Sequence, residues 1–173
     1  SLLGTTRKMF LMNGVKAYNY DASNGLVAVT DVNYPAALVK GTAFLDGTMY
    51  VMSANGTING SNINDATTWP ALNTIVAQIE PDSGVTIVKQ MVYVFAIKQW
   101  TTEVFYDAAN ASGSPLGTVQ GMRLNFGCAS ADSLQDVDNA LFFLSSNRST
   151  GYQVVMIEGG KPTVISTKPI ERL

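Results

Sequence analysis

The sequence predicts an all-β fold built from repeated units of about four short strands, and three observations support this prediction. Short runs rich in Val, Ile, Thr and Tyr recur along all 173 residues, as is typical of strands. Turn-forming pairs such as Asp46-Gly47 and Asn55-Gly56 lie between these runs. Apolar residues at helical spacing do not persist over several turns in any segment.

The strand-rich pattern is repeated along the chain. Three similar segments, YNYDAS, SNINDAT and EVFYDAA, and a looser fourth, VVMIEGG, contain Asp21, Asp65, Asp107 and Glu158 as their acidic residues. A second series, FLDGTMYVM, IVKQMVYVF and QDVDNALFFL, lies upstream of the later members. The period is about 40–50 residues, and a repeat of that length with about four strands is typical of a β-propeller blade.

The repeat predicts that residues 1–173 form a single propeller region of four units. The first unit, about 1–37, is partial and has lost its start, and units of about 38–82, 83–126 and 127–173 follow it. About three complete blades and a partial one leave an open edge at each end. Either the ring closes at four blades or the chain is part of a larger propeller. We expect the larger propeller, with this chain as a fragment of a longer one, because exposed edges need further sequence or a partner to cover them.

Alternating apolar residues and turn pairs predict the individual strands of the last two units. The strands predicted for the fourth unit lie near 133–137, 140–145, 152–158 and 163–167. Those predicted for the third unit lie near 85–89, 91–97, 102–107 and 116–124. Asp138 and Asn139 are predicted to form the first hairpin turn of the fourth unit, because Asp-Asn favours the turn conformation.

The second unit is less regular, and its aromatic residues and polar segments suggest separate roles. Tyr50, Tyr93 and Phe142 occupy matching positions and are predicted to pack between blades, since a blade cannot bury both of its apolar faces alone. Residues 54–65 are too polar for a buried strand. Together with residues 108–121, they are expected to form loops that contact partners.

The charge pattern excludes some functions. The chain has 11 basic and 13 acidic residues, and the basic residues are scattered, whereas surfaces that bind duplex DNA cluster them. Tight DNA binding by this chain alone is therefore not predicted. The longest apolar run, 85–97, is interrupted by Lys89 and Gln90 and is too short to cross a membrane.

Cys128, the single cysteine, is a candidate nucleophile by residue type. A reactive thiolate usually needs a base such as histidine, and the sequence has no histidine. The same absence removes Ser-His-Asp catalysis and the commonest zinc ligands. Cys128 is predicted to be a buried small side chain at the entry to the last unit. The sequence predicts no catalytic residue, no cofactor site and no metal site, and hence no enzyme.

Two sets of carboxylates are alternative candidates for a catalytic or ligand-binding site. Asp136 and Asp138, two residues apart, have the spacing that inverting glycoside hydrolysis uses, but Asp138 falls in a predicted turn, where a solvated acid gains no raised pKa. A calcium site at this pair lacks ligands. Asp21, Asp65 and Asp107 form either a ligand ring or, as their place after strands favours, turns capped by their own side chains.

Trp69 and Trp100 are the only tryptophans and the two candidate contact residues. Trp69, beside a proline in a loop, is either an exposed ring suited to sugar stacking or subunit contact, or part of the core, and the core is favoured. Trp100 is predicted at a blade rim. These features motivate the alternative function, a carbohydrate-binding or glycoside-hydrolysing propeller.

Four ordered motifs resemble one known family. DATTWPAL at 65–72, QWTTEVFYD at 99–107, GCASADSLQDVDNALFFLSS at 127–146 and VISTKPIE at 164–171 are similar to segments of the tail hub, or packaged-DNA stabilisation, proteins of short-tailed bacteriophages. The resemblance runs in the same order over most of the chain. Members of that family are longer, so it implies that this chain is a central fragment.

The resemblance implies a structural role without a chemical step. A member of this family would be a propeller-like tail component that helps to close the portal vertex and retain the packaged genome. It would be made in the bacterial host cytoplasm and located in the virion tail. Its partners would be portal or other tail proteins, with copies of itself in a ring, and DNA would pass or be retained without sequence-specific binding. No membrane is involved.

Overall fold

A computed structural model describes residues 2–3, 6–149 and 151–168 of the chain. Within these residues it contains eighteen strands, one short 3₁₀ turn at Ala131–Ser133 and no α-helix. The strands form a hairpin of β1 (Leu2–Leu3) and β2 (Thr6–Arg7) and four larger antiparallel sheets. The predicted all-β class is therefore confirmed.

The four sheets follow one another along the chain. Within each sheet the strands are hydrogen-bonded in sequence order, except that the first two strands of the fourth sheet share one partner strand. The first sheet contains β3 (Met9–Met12), β4 (Ala17–Asp21) and β5 (Gly25–Ala28). The second contains β6 (Ala43–Leu45), β7 (Thr48–Met52), β8 (Thr57–Gly60) and β9 (Thr74–Val76).

The last two sheets are longer. The third contains β10 (Gly84–Gln90), β11 (Tyr93–Lys98), β12 (Thr102–Asp107) and β13 (Leu116–Leu124). The fourth contains β14 (Gly127–Cys128), β15 (Gln135–Val137), β16 (Ala140–Asn147), β17 (Gly151–Glu158) and β18 (Lys161–Val164). In the fourth sheet β14 and β15 both pair with β16, one after the other. Consecutive meandering sheets of this kind are propeller blades.

Two expectations about local structure need correction. The polar segment 54–65 was expected to be a loop, but β8 lies inside it, with Ile58 fully buried against the neighbouring sheet. Its alternate residues Thr57 and Asn59 are only partly buried, which explains why the segment looks polar. The loop expected at 108–121 ends earlier, because β13 begins at Leu116.

Tight turns set the register of the hairpins. Asp138 and Asn139 have φ of 50° and 61°, so the predicted hairpin turn is confirmed. Positive φ at both central residues matches the twist of the flanking strands, and Asp and Asn tolerate this conformation. Met91 was expected to begin a strand, but its φ is 53° and it forms a turn with Val92 before β11.

Each sheet has an upstream face, toward the preceding sheet, and a downstream face, toward the following one. Side chains alternate between the two faces along a strand. In β11, Val94 and Ala96 point upstream and contact the second sheet, whereas Phe95 and Ile97 point downstream and contact the fourth. Both faces of the third sheet are therefore buried.

One apolar cluster fills each junction between consecutive sheets. The residues between the first and second sheets include Phe10, Met12, Met49, Val51 and Trp69. Those between the second and third include Tyr50, Met52, Ile58, Val94 and Phe105. Those between the third and fourth include Phe95, Val104, Leu141, Phe143 and Val155.

The predicted packing of Tyr50, Tyr93 and Phe142 holds for two of the three. Tyr50 is fully buried at the second junction, and Tyr93 packs against the third. Phe142 instead lies on the downstream face of the fourth sheet, on the same row as Met156, where no later sheet of the described residues covers it. The position is equivalent, but its packing partner is missing.

Truncation of Phe95 to alanine should lower the free energy of unfolding by about 3–5 kcal/mol, because it leaves a cavity at the third junction. Phe95 is completely buried there. Val32→Ala serves as the control, since Val32 is 96% exposed and its truncation should change stability by less than about 0.5 kcal/mol. Urea denaturation measures both values. Equal effects of the two substitutions would contradict the packing described here.

Candidate functional site

Cys128 lies in β14 and is completely buried. Its thiol donates to the carbonyl oxygen of Ser130 at 3.0 Å, and its Sγ lies 3.6 Å from the hydroxyl oxygen of Ser133. Burial raises the pKa of this thiol, which favours its unreactive protonated form. The position and surroundings are those of a small core side chain at the start of a blade.

The Asp136 and Asp138 carboxylates are both exposed, one on β15 and the other in the following hairpin turn. General acid catalysis by a carboxylic acid needs an apolar or like-charged environment that raises its pKa. Both carboxylates face solvent and line none of the described clefts, so the geometry does not support a glycoside-hydrolysing pair. No group of three potential metal ligands occurs among the described residues.

The recurrent aspartates shape turns. Asp21 Oδ1 accepts hydrogen bonds from the backbone N–H groups of Ser23 and Asn24 at 2.9 and 2.7 Å. Hydrogen bonding from the Asn24 side chain and backbone lowers the pKa of Asp21. Asp107 Oδ1 accepts from the Ala109 N–H at 2.7 Å in the equivalent way.

Asp65 follows the same pattern. Its Oδ1 accepts from the Thr67 N–H at 2.9 Å, and its Oδ2 accepts from the Thr68 hydroxyl at 2.8 Å. Burial alone would raise the pKa of Asp65, but the hydrogen bonds from Thr67 and Thr68 outweigh it and lower the pKa. These three aspartates therefore serve as turn caps and are not assembled into a ligand ring.

Trp69 is buried, with 1% of its surface exposed, in the junction between the first and second sheets. Its ring packs edge-on against Tyr34, with centroids 5.1 Å apart, and its indole N–H donates to the carbonyl oxygen of Ala66. Its backbone N–H donates to Asp31 Oδ2 at 2.9 Å. The structure thus places Trp69 in the core and leaves no ring face for a ligand.

Trp100 lines a surface cleft of about 190 Å³, which we call the Trp100 cleft. Its other lining residues are Glu80, Asp82, Thr101, Asn125, Asn147 and Arg148. The guanidinium of Arg148 lies 5.7 Å from the centroid of the indole ring, at cation–π distance. An aromatic ring, amides and charges of both signs make this cleft suited to polar groups of a partner.

A buried ion cluster lies beneath the Trp100 cleft. Lys98 Nζ is completely buried and lies 3.0 Å from Asp82 Oδ1 and 2.7 Å from Glu103 Oε1. It also donates to the carbonyl oxygens of Glu80 and Ala77. A buried ammonium group is tolerated only when it is paired and hydrogen-bonded in this way.

The ion cluster ties residues 77–83, the linker between the second and third sheets, to the third sheet. Asp82 Oδ2 accepts from the backbone N–H groups of Trp100 and Thr101 at 2.7 and 3.0 Å. Burial would raise the pKa of Asp82, but the hydrogen bonds from Trp100 and the Lys98 ammonium together lower it. The floor of the cleft is therefore held by charged groups inside the protein.

Sequence analysis missed this cluster. Lys98 ends the apolar strand β11, and Glu103 lies within the apolar run of β12, so each is a charged residue at a position expected to be buried. A charged residue within an apolar strand is the sequence feature that could have indicated the buried ion cluster. Asp82 comes from a linker and carries no such signal.

A larger groove of about 740 Å³ lies beside β3, and we call it the β3 groove. Leu11, Met12, Leu38 and Lys40 contribute to its walls, and Asp132 reaches it from the fourth unit. Lys40 Nζ lies 2.6 Å from Asp132 Oδ1 across the groove. This pair is well exposed, and ion pairs of that kind add little to stability.

Comparison with known proteins gives a family and a fold. The family model described as "Bacteriophage P22 Gp10, beta-propeller" matches residues 4–173. No curated protein matches the chain. None of the described helices is long and apolar enough to cross a membrane.

Three solved structures are similar to this chain at low identity. The computationally designed Ika8 protein matches with TM-score 0.51 and 12% identity, over 91% of this chain and 47% of that one. The designed Ika4 protein matches with TM-score 0.45 and 14% identity, over 77% and 72%. BamB from Moraxella catarrhalis matches with TM-score 0.47 and 12% identity, over 94% and 47%. This chain therefore spans less than half the length of two of the three.

Substitution of Lys98 by methionine should lower the free energy of unfolding by about 3–5 kcal/mol, because it leaves the Asp82 and Glu103 carboxylates buried without their partner. Lys40→Met is the matched control: it also removes an ion pair, but one at the surface, and should cost less than about 1 kcal/mol. Urea denaturation compares the two. A Lys98 variant as stable as the Lys40 variant would show that the cluster contributes little.

Asp82 should make the free energy of unfolding depend on pH. Because its pKa is lower in the folded chain than the ordinary value of 3.8, its contribution is fully present above that value. The contribution is lost as the pH falls through the lowered pKa. Asp82→Asn should therefore reduce the slope of unfolding free energy against pH between about pH 5 and pH 2. An unchanged slope in denaturation curves over that range would contradict this assignment.

Proposed function

Because the chain belongs to the bacteriophage P22 Gp10 β-propeller family, we propose that it is a structural virion protein of a bacteriophage tail hub that helps to close the portal vertex and retain packaged DNA. The observation that carries this proposal is the family match over residues 4–173. The family is one of phage DNA-stabilisation proteins.

The proposed mechanism is mechanical closure. Three apolar junctions join consecutive sheets, and the Lys98 cluster fixes a linker between two of them, which suits a component that must resist the pressure of a packaged genome. No chemical step is needed.

Contact with DNA would be weak and independent of sequence. Only 14% of the residues are charged, and the net charge is −2, so the surface offers little attraction to phosphates. A genome could be passed or blocked without being held by this chain. Its partners would be portal and other tail proteins together with copies of itself in a ring, in a virion assembled in the bacterial host.

The Trp100 cleft is the proposed site of contact with another tail protein. Its floor is rigid because Asp82 bonds to the backbone of Trp100 and Thr101, and its wall presents Arg148 over the indole ring. Aromatic and Arg side chains are enriched where interfaces gain most of their binding energy. The cleft is also the observation behind the second candidate function, carbohydrate binding, since Trp100 lies beside the Asn125 and Asn147 amides.

Phage particles assembled without this protein should package DNA and then lose it, which a nuclease-accessibility assay on purified particles measures. Supplying the wild-type protein should restore retention. Supplying Trp100→Ala should weaken binding to tail components by about tenfold or more. Tyr106→Ala, at an exposed aromatic outside the cleft, serves as the control.

Particles that keep their genomes without the protein would overturn the proposal. Binding of the purified chain to a glycan array, lost in Trp100→Ala, would instead support the carbohydrate-binding candidate. A mobility-shift assay at physiological salt should show no tight complex between the chain and duplex DNA.

A further inference from the structure

We propose that the Trp100 cleft binds an Asp or Glu side chain of a partner protein, and that the guanidinium of Arg148 is the group that recognises its carboxylate. This proposal deepens the proposed function, on which it rests for the identity of the partner as a tail protein. The class of ligand follows from the hydrogen-bonding groups of the cleft. Its acceptors are already bonded within the chain, whereas several of its donors are not.

The cleft lies where the third and fourth sheets meet. Trp100 and Thr101 come from the turn and strand start between β11 and β12, and Asn147 and Arg148 come from the end of β16 and the turn that follows. Asn125 lies in the linker between the two sheets. The cleft is therefore formed between two neighbouring blades inside the described chain.

The carboxylates of the cleft are already paired. Asp82 Oδ1 lies 3.0 Å from the Lys98 ammonium, and Asp82 Oδ2 accepts a hydrogen bond from the backbone N–H of Trp100 at 2.7 Å. Glu80 Oε1 accepts a hydrogen bond from the guanidinium of Arg123. These two acids therefore have cations of their own and give a cationic ligand little to bind.

The amide oxygens on the opposite wall are occupied in the same way. Asn147 Oδ1 accepts hydrogen bonds from the backbone N–H and the hydroxyl of Ser149 at 2.9 and 2.8 Å. The backbone carbonyl oxygen of Asn125 accepts from Asn147 Nδ2 at 2.9 Å. The turn and the linker thus satisfy each other, and these contacts fix the wall that carries Arg148.

The donors of the cleft are in a different state. Arg148 is exposed and takes part in none of the four ion pairs of the described residues. Its guanidinium contacts the Trp100 ring, and a guanidinium that uses its face in this way keeps its in-plane N–H groups for hydrogen bonds. Within the described part of the chain, the Trp100 indole N–H and the Asn125 side-chain N–H groups form no hydrogen bond either.

A cleft with free donors and occupied acceptors favours a ligand that only accepts hydrogen bonds. An ionised carboxylate is such a ligand, and its two oxygens match the paired N–H groups of a guanidinium. Arg148 is also the one charged residue lining the cleft that has no opposite charge beside it among the described residues. Charge and hydrogen bonding therefore select the same group.

The size and charge of the cleft favour a protein side chain over other anions. Its volume of about 190 Å³ is below the roughly 300–1,000 Å³ of sites that enclose a small molecule. The Glu80 and Asp82 carboxylates line the same cleft, and the chain has a net charge of −2, so the closely spaced phosphates of DNA are disfavoured. A single carboxylate can reach Arg148 without bringing further negative charge.

Titration of the ¹⁵N-labelled whole chain with the blocked peptide acetyl-Gly-Glu-Gly-amide tests the proposal by nuclear magnetic resonance. Trp69 and Trp100 are the only tryptophans, so the spectrum has two indole N–H signals, which Trp100→Phe assigns. The Glu peptide should shift the Trp100 signal and bind about tenfold more tightly than the neutral acetyl-Gly-Gln-Gly-amide, because a charge-assisted hydrogen bond is the stronger one. The signal of the buried Trp69 should not move.

Substitutions at Arg148 test its role directly. Arg148→Gln should weaken binding of the Glu peptide about tenfold, to the level of the Gln peptide. Lys16→Gln removes the same charge from an exposed position outside the cleft and should change binding less than about twofold, since distant exposed charges are screened. Arg148→Glu should reverse the preference and favour acetyl-Gly-Lys-Gly-amide. Circular dichroism checks that each variant is folded, as expected for an exposed residue.

Equal shifts of the Trp100 signal by the Glu and Gln peptides would overturn the proposal, and so would the absence of any shift. A short DNA oligonucleotide that shifts this signal more strongly than the Glu peptide, with the effect lost in Arg148→Gln, would overturn it in favour of nucleic-acid contact. None of these results bears on genome retention by particles. The proposed function therefore fails or holds in the nuclease assay, separately from carboxylate binding in the cleft.

Discussion

The arrangement of this protein depends on one constraint, which is that each of its sheets has two apolar faces and cannot bury either of them alone. Stacking solves this for the second and third sheets, where Tyr50, Val94 and Phe95 are completely buried. In the first and fourth sheets, only one of the two faces packs against a neighbouring sheet of the described residues. The same constraint leaves one face of the first sheet and one face of the fourth without a neighbouring sheet among the described residues.

Charge plays a local role within this apolar stack. The Lys98 ammonium and the Asp82 and Glu103 carboxylates are buried where the linker between the second and third sheets meets the third. A buried ion cluster adds less stability than apolar packing does, but it fixes a geometry strictly because no partner can leave unpaired. Here it positions the backbone of Trp100 and Thr101. The same contacts therefore fix both the linker of residues 77–83 and the floor of the Trp100 cleft.

The sequence predicts the fold better than the sites. Period and turn chemistry identify the blades and the Asp138-Asn139 hairpin, because both signals are local. The β8 strand escapes prediction because its outward residues are polar. The burial of Trp69 was the favoured alternative, but its contacts with a different sheet could not be named from the sequence. The ion cluster joins a linker aspartate to two neighbouring strands, a contact that appears only once the third sheet has formed. What sequence reasoning misses is set by packing between units, which local patterns do not encode.

Hydrogen–deuterium exchange of the intact chain tests the central claim most directly, since the third sheet is described as covered on both faces. The account predicts that the amides of β7, β11 and β12 exchange more slowly than those of the first and fourth sheets, at the rate of global unfolding. Exchange in these strands as fast as in the exposed hairpin at Met91 and Val92 would contradict the stacked arrangement.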